Sequence, residues 1–128
     1  MRKIILSRKG LDSSAGGAPS PIMPDGRIFS LPLPQKEKSP NRYKNLQFDE
    51  FNGTKLLKNF KSKIKPNDFC HYDPRLNQKI GIFGQANAAQ SELDNLEVHT
   101  GDLFLFFGWF RNVGKKGNDL HHLFGWLQ

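Results

Sequence analysis

The sequence predicts an α+β fold, in which a twisted, partly closed and mainly antiparallel sheet carries about two helices. Three observations lead to this fold class. Short apolar segments alternate with glycine- and proline-rich stretches, as strands alternate with turns. Two segments carry apolar residues at helical spacing, and a continuous apolar run near the C-terminus is typical of a central strand. The 128 residues suffice for one domain, which we place at 1–128.

The first third of the chain predicts two strands and a long loop. Residues 2–7 form a short apolar segment in which Ile4–Leu6 are expected to enter the core. Glycines, prolines and serines then disfavour regular structure over 8–25. The alternation over 26–33 predicts a strand, and prolines at its end place that end at a sheet edge.

Two helices are predicted in the middle of the chain. Apolar residues recur every four positions from Leu56 to Ile64, which indicates a helix over 53–64. Pro66 cannot continue it. The alanine-rich segment 85–95 predicts the second helix, because alanine has the highest intrinsic helix propensity.

The last quarter of the chain predicts two long strands. The run LFLFFGWFR over 103–111 is expected to be a central strand with a bend at Gly108, and a hairpin over 114–117 leads to a strand that ends the sequence. We expect the domain to be truncated at its C-terminus. A protein partner, or a missing C-terminal half, would then cover the final strand.

Charge and composition narrow the class of protein. The formal net charge is +7, carried mainly by 36–79, where eleven basic residues face five acidic ones. This charge favours a nucleic acid or nucleotide as partner. The single cysteine excludes an internal disulfide framework, and neither a signal peptide nor a membrane-spanning segment is present. We therefore expect a cytoplasmic protein with no membrane partner.

The predicted helix at 53–64 carries lysines beside its apolar stripe. Lys55, Lys58 and Lys61 are candidates for contacts with a phosphate backbone, which lysine binds as a point charge without reading sequence. The alternative is a solvated lysine face.

The N-terminal loop collects residues suited to a nucleotide. Glycines let a phosphate approach the backbone, hydroxyls and N–H groups donate to it, and basic side chains neutralise it. The loop has neither the ending of a P-loop nor the dinucleotide glycine pattern, so a polar surface loop is the alternative. Ser13 and Ser14 are also candidate nucleophiles. The candidate binding residues are Arg8, Lys9, Asp12, Gly16 and Gly17.

A second group of polar residues follows the lysines. His71 and Asp73 could form an imidazole–carboxylate pair, with His71 as general base and Asp73 orienting it. A turn at Asp73 with an incidental histidine is the alternative. Paired zinc-ligand spacings are absent, so no metal site is predicted, and the sequence names no cofactor.

Further candidates surround the predicted helix and the aromatic strands. Gln85 opens the second helix, where free N–H groups suit an anion. Arg111 could contact phosphate and His121 could transfer a proton, while Trp109 could stack on a base. The aromatic residues of these strands could instead belong only to the core.

Five long strings of this sequence resemble one family. They are SRKGLDSSAGGAPSPIMPDGRIFSLPLP at 7–34, CHYDPRL at 70–76, FGQANAAQSELDN at 83–95, GDLFLFFGWFR at 101–111 and DLHHLFGWLQ at 119–128. In order and content they are similar to the bacterial and phage family called nucleotide modification associated domain 3. The positions that match its polar signature are Arg8, Lys9, Asp12, Ser13, Ser14, Asp25, His71, Asp73, Gln85, Asp102, Arg111 and His121.

The resemblance implies a protein that acts on, or recognises, a base or nucleotide in a DNA-modification system. It leaves the reaction open. The alternative is a non-catalytic module similar to PUA domains, in which the strand after Gly101 and Asp102 would hold a modified base against Trp109.

Overall fold

The computed structural model describes residues 2–71, 75–76, 81–82, 87–114 and 118–128. The fold is α+β, as predicted. Its largest sheet has four strands and is built around β9 (Leu103–Asn112). On one side, β1 (Ile4–Arg8) and then β2 (Ser20–Ile22) run parallel to β9; on the other side, β10 (Leu120–Leu127) runs antiparallel.

This arrangement corrects two details of the predicted sheet. The central strand has parallel neighbours along one whole edge, because the chain returns to β9 after a long excursion and not through a tight hairpin. The sheet is also open, since β1 and β10 lie at opposite edges and do not pair with each other.

Small antiparallel pairs make up the remaining strands of the described chain. They are β3 (Leu33–Gln35) with β6 (Phe69–His71), β4 (Gln47–Phe48) with β5 (Phe51–Asn52), and β7 (Arg75–Leu76) with β8 (Gly81–Ile82). A single 3₁₀ turn covers Tyr43–Asn45.

The strand predicted over 26–33 is wrong. Only an isolated bridge from Ile28 to Ile22 forms there, and β3 begins at Leu33. The backbone groups of Leu31 are used elsewhere: its N–H donates to the Ser20 hydroxyl at 3.0 Å, and its carbonyl accepts from the Leu11 N–H at 3.0 Å. Bonds to loop groups thus replace a strand ladder.

The first helix, α1 (Gly53–Leu57), is much shorter than predicted, whereas α2 (Asn87–Asn95) agrees with the prediction within the described residues. The side-chain amide of Asn59 donates to the Leu56 carbonyl at 3.1 Å and competes with the next helical turn. The Lys63 N–H then bonds the Gly16 carbonyl at 3.2 Å. These contacts pull the chain out of the helix before Ile64.

The main sheet has an inner face and an outer face. Phe106 and Phe110 of β9 are fully buried on the inner face, and Gly108 lies between them. A bulge between Leu123 and Gly125 turns Phe124 inward, where its ring lies 6.4 Å from Phe106 and 6.0 Å from Phe110. The outer face carries Ile4, Leu6, Arg8, Leu105, Phe107, Trp109, His121, Leu123 and Trp126.

The expected burial of Ile4–Leu6 is wrong for two of its three residues. Ile4 is 67% exposed and Leu6 is 64% exposed, because both lie on the outer face at the β1 edge. Ile5, on the other face, is half-buried.

A second core lies under the loops. Its largest member, Tyr43, is fully buried, and its hydroxyl donates to the Pro32 carbonyl at 2.6 Å. Burial raises the pKa of that hydroxyl well above its ordinary value. The buried residues of this core are Leu11, Phe29, Leu31, Tyr43, Leu46, Leu56, Leu57 and Cys70. No described helix is both long and apolar enough to cross a lipid bilayer.

Candidate functional site

A cavity of about 250 Å³ opens on the outer face of the main sheet. Its walls come from the end of β1, the loop that follows, the middle of β9 and the start of β10. Trp109 and His121 are directly paired across β9 and β10, which sets them side by side. The lining residues are Arg8, Ser13, Trp109, Asp119, Leu120 and His121.

Four of these six residues were predicted from the sequence as site residues. Arg8 and Ser13 were assigned to nucleotide binding and nucleophilic chemistry, and Trp109 and His121 to base stacking and proton transfer. They come from two segments about a hundred positions apart. The parallel pairing of β1 with β9 brings the segments together, because it aligns Arg8 with Phe107.

The sequence did not reveal the other two lining residues, Leu120 and Asp119, and Asp119 is the polar one. Its carboxylate accepts from the Trp109 indole N–H at 2.7 Å and from two Arg111 nitrogens, Nε at 2.5 Å and Nη2 at 2.9 Å. Leu120 pairs with Phe110, so Asp119 comes opposite Arg111. The pairing of Arg111 with Asp119 follows from the register between β9 and β10. Residue composition alone does not indicate it.

The Arg111–Asp119 pair sets the charge of the cavity wall. The hydrogen bonds from Arg111 hold the pKa of Asp119 below its ordinary value against the opposing effect of burial, and the pKa of Arg111 is raised by the same pair. Asp119 is therefore an anion at neutral pH. Arg111, predicted to contact phosphate, spends two donors on this carboxylate, and its guanidinium lies 5.4 Å from the centre of the Phe60 ring.

The loop after β1 folds around the Asp12 carboxylate. One carboxylate oxygen accepts from the N–H and hydroxyl of Ser14, both at 2.8 Å, and from the Ala15 N–H at 2.6 Å. Burial raises the pKa of Asp12, but these hydrogen bonds outweigh it and lower the pKa. The Gly17 N–H also donates to the Asp12 carbonyl, at 3.1 Å. In this structure Asp12 therefore accepts hydrogen bonds from three loop amides that the sequence suggested as donors to a phosphate.

Gly16 serves close packing in the same loop. Its φ is +92°, and a Cβ there would come within 3 Å of side-chain atoms of Leu11 and Ile64. Its carbonyl accepts from the Ser62 hydroxyl at 3.1 Å as well as from Lys63. This glycine therefore joins the loop to the lysine-rich segment.

The remaining histidine of the predicted composite site lies elsewhere. His71 is exposed at the end of β6 and lines a separate cavity of about 260 Å³ that shares no residue with the first. Its neighbour Cys70 is fully buried, and burial raises the pKa of that thiol to about 11. Asp73 and Gln85 lie outside the described residues.

The predicted lysines are exposed, and only Lys55 lies within α1. Lys58 and Lys61 follow the helix and flank Phe60, whose ring contacts Arg111. The lysine segment therefore adjoins the wall of the Arg8–His121 cavity through Phe60 and Arg111. Lys9 is half-buried, and its N–H donates to the Phe107 carbonyl at 2.9 Å.

Residues 3–128 match the family model of nucleotide modification associated domain 3. The chain belongs to this family. Its description associates the domain with nucleotide modification and names no reaction. No curated protein and no solved structure matches the chain.

The signature that we assigned to the nucleotide modification family divides between the cavity and the scaffold. Asp25 bonds Arg27 through the guanidinium, and these hydrogen bonds lower its pKa. Asp102 accepts N–H bonds from His99 and Lys3 at 2.9 Å, which ties the start of β9 to the N-terminus. Both carboxylates thus stabilise the local fold, whereas Arg8, Ser13 and His121 line the cavity.

The described residues of this family member contain no group of three or more histidine, cysteine, aspartate or glutamate side chains that could hold a metal ion.

Proposed function

We propose that this chain binds a nucleotide unit, free or within a nucleic acid, in the Arg8–His121 cavity, as part of a nucleotide modification system. One observation carries the proposal: the parallel pairing of β1 with β9 gathers a cation, a hydroxyl, an indole and an imidazole at one cavity. The family membership, whose description names nucleotide modification, supports a nucleotide as the ligand.

Each wall of the cavity suits one part of a nucleotide. The indole of Trp109 offers a flat surface on which a base can stack, and the exposed Arg8 guanidinium can pair with a phosphate. A volume of about 250 Å³ lies just below the range of about 300–1,000 Å³ that holds drug-sized ligands, which fits one base and not a dinucleotide.

His121 is the proposed proton-transfer group of this site. It is exposed beside Trp109, and its ring lies edge-on to Phe107 at 6.1 Å, which limits how the imidazole can turn. Ser13 lines the same cavity and is the proposed nucleophile if the reaction is covalent. We assign these roles to His121 and Ser13 because His71 lines a different cavity.

A binding module without catalysis is the second candidate, and the loop favours it. The Ser14 hydroxyl and three loop amides are bonded to Asp12, although they are the groups that would otherwise stabilise a developing negative charge. Mass spectrometry of oligonucleotides incubated with the protein and cell extract separates the candidates. The enzyme hypothesis is supported if the wild-type protein changes the mass of the oligonucleotide and His121→Ala no longer does so while it still binds. The control variant His99→Ala should produce the same mass change as the wild type.

Trp109 fluorescence tests nucleotide binding directly. The chain has two tryptophans, so Trp126→Phe leaves Trp109 as the only one. Deoxynucleoside monophosphates should quench its emission. Arg8→Ala should reduce the affinity for these monophosphates about tenfold or more, since hydrogen bonds to charged groups contribute about 1.5–3 kcal/mol. The affinity for nucleosides, which lack the phosphate, should not change. Arg2→Ala, an exposed arginine outside the cavity, is the matched control. Equal loss in both arginine variants would contradict the proposal.

We also propose that Lys58 and Lys61 bind the phosphate backbone of a nucleic acid where it leaves the cavity. Phe60 between them contacts Arg111, which is hydrogen-bonded to Asp119 of the cavity wall. Reversing both charges to glutamate should reduce the slope of log affinity against log salt for a single strand by about 1.4, at about 0.7 per contact. Lys36→Glu with Lys44→Glu, also exposed, is the control. An unchanged slope would leave this segment as a solvated surface.

A further inference from the structure

The carboxylate of Asp119 has one acceptor position left among the described residues. An ionised carboxylate offers about four acceptor positions, two on each oxygen. Within the described chain, Oδ2 accepts from the Trp109 indole and from Arg111 Nη2, while Oδ1 accepts from Arg111 Nε alone. The remaining lone pair is therefore on Oδ1, and Asp119 is one of the residues that line the cavity.

This carboxylate can only accept hydrogen bonds. Arg111 binds it with two nitrogens and keeps it ionised, so it carries no proton to donate at neutral pH. A ligand atom that meets Oδ1 must therefore be a donor. A carbonyl oxygen in the same place would set lone pair against lone pair.

The position of the acceptor relative to the stacking surface is fixed. The Trp109 indole N–H is held by Oδ2 of the same carboxylate, at 2.7 Å. A base stacked on this indole would therefore present its edge at a constant place relative to Oδ1. Two contacts with different requirements, a flat ring and a donor at its edge, then act on one ligand.

We infer that the cavity selects a nucleobase with an exocyclic amino group, such as cytosine or adenine, and that Asp119 accepts a hydrogen bond from this group. The inference rests on the proposed nucleotide binding and adds the class of base. Carboxylates accept from the amino group of cytosine in protein–DNA contacts in the same way. Uracil and hypoxanthine, which carry a carbonyl in place of this amino group, should bind more weakly.

Matched nucleotide pairs test the inference on the Trp126→Phe protein. We expect dCMP to bind at least about tenfold more tightly than dUMP, and dAMP than dIMP, as one hydrogen bond to a charged group provides. Asp119→Asn should reduce both ratios to below about threefold, since its amide can turn a donor toward a carbonyl. Glu37→Gln, an exposed neutralisation elsewhere, should leave both ratios unchanged.

The outcomes separate this inference from the proposed function. Equal affinities within each pair overturn the choice of an amino-bearing base while leaving nucleotide binding in place. Binding of no nucleotide overturns both. The comparison of dCMP with dUMP needs no variant at position 119, so the result stands even if Asp119→Asn fails to fold.

Discussion

The two faces of β9 use similar side chains for different purposes. On the inner face, Phe106 and Phe110 are fully buried and their rings are in reach of Phe124. On the outer face, Trp109 lines an open cavity, and Leu123 and Trp126 of the neighbouring strand are more than half exposed. The comparison shows that an aromatic strand can form a core with one face and line an open cavity with the other.

Removal of an inner-face ring should have the largest effect. Phe106→Ala removes a fully buried ring and leaves a cavity, and we expect it to lower the free energy of unfolding by about 3–5 kcal/mol. Chemical denaturation measures the change. Leu123→Ala, on the outer face, should cost much less because its side chain is 56% exposed. Equal losses would show that the two faces are equally buried in solution.

Gly108 should produce the next largest effect. A Cβ at this position would come within 2.7 Å of the Lys9 carbonyl oxygen. This oxygen belongs to the backbone directly after β1, which cannot easily move. We expect Gly108→Ala to lower the free energy of unfolding by about 1–3 kcal/mol. Thermal unfolding followed by circular dichroism measures it. Wild-type stability in this variant would mean that β1 and β9 can separate there at no cost, and Arg8 would then lose its fixed place beside Trp109.

Protonation of Asp119, on the outer face, should change the free energy of unfolding least. Its pKa is lower when folded than when unfolded, so its stabilising contribution is present above the ordinary pKa of aspartate and is lost as the pH falls through the lower folded value. The effect on unfolding is small because the pair is solvated. Trp109 emission in the Trp126→Phe protein should nevertheless change in that acidic range. A change that persists in Asp119→Asn would assign it to another group.

The sequence predicted elements that depend on local pattern. The continuous run that became β9 and the alanine-rich segment that became α2 lie where expected, because each pattern favours one conformation. It missed what depends on distant contacts. The helix at 53–64 stops early because Gly16 binds the chain beyond it, and three aliphatic residues in β1 carry no sign of which face a neighbour will cover.

The candidate site follows the same division. Residue type alone pointed to Arg8, Ser13, Trp109 and His121, since each has a recognisable role with nucleotides. Asp119 could not be singled out, because its importance lies in facing Arg111 and Trp109 across a hairpin whose register the sequence does not encode locally. The sequence also did not indicate that an aspartate in the N-terminal loop bonds the loop amides itself.

The bulge at Phe124 makes β10 tolerant of a change in length at one point. The extra residue separates two stretches of the strand that each keep their own pairing, with Leu123 opposite Phe107 and Gly125 opposite Phe106. Deletion of Phe124 would remove one inward ring and leave both stretches in phase. Deletion of a residue well away from the bulge would shift part of the strand by one position and exchange the inward and outward side chains of that part. Relatives of this chain should therefore be aligned through their strand pairings, and a gap of one residue here belongs at the bulge.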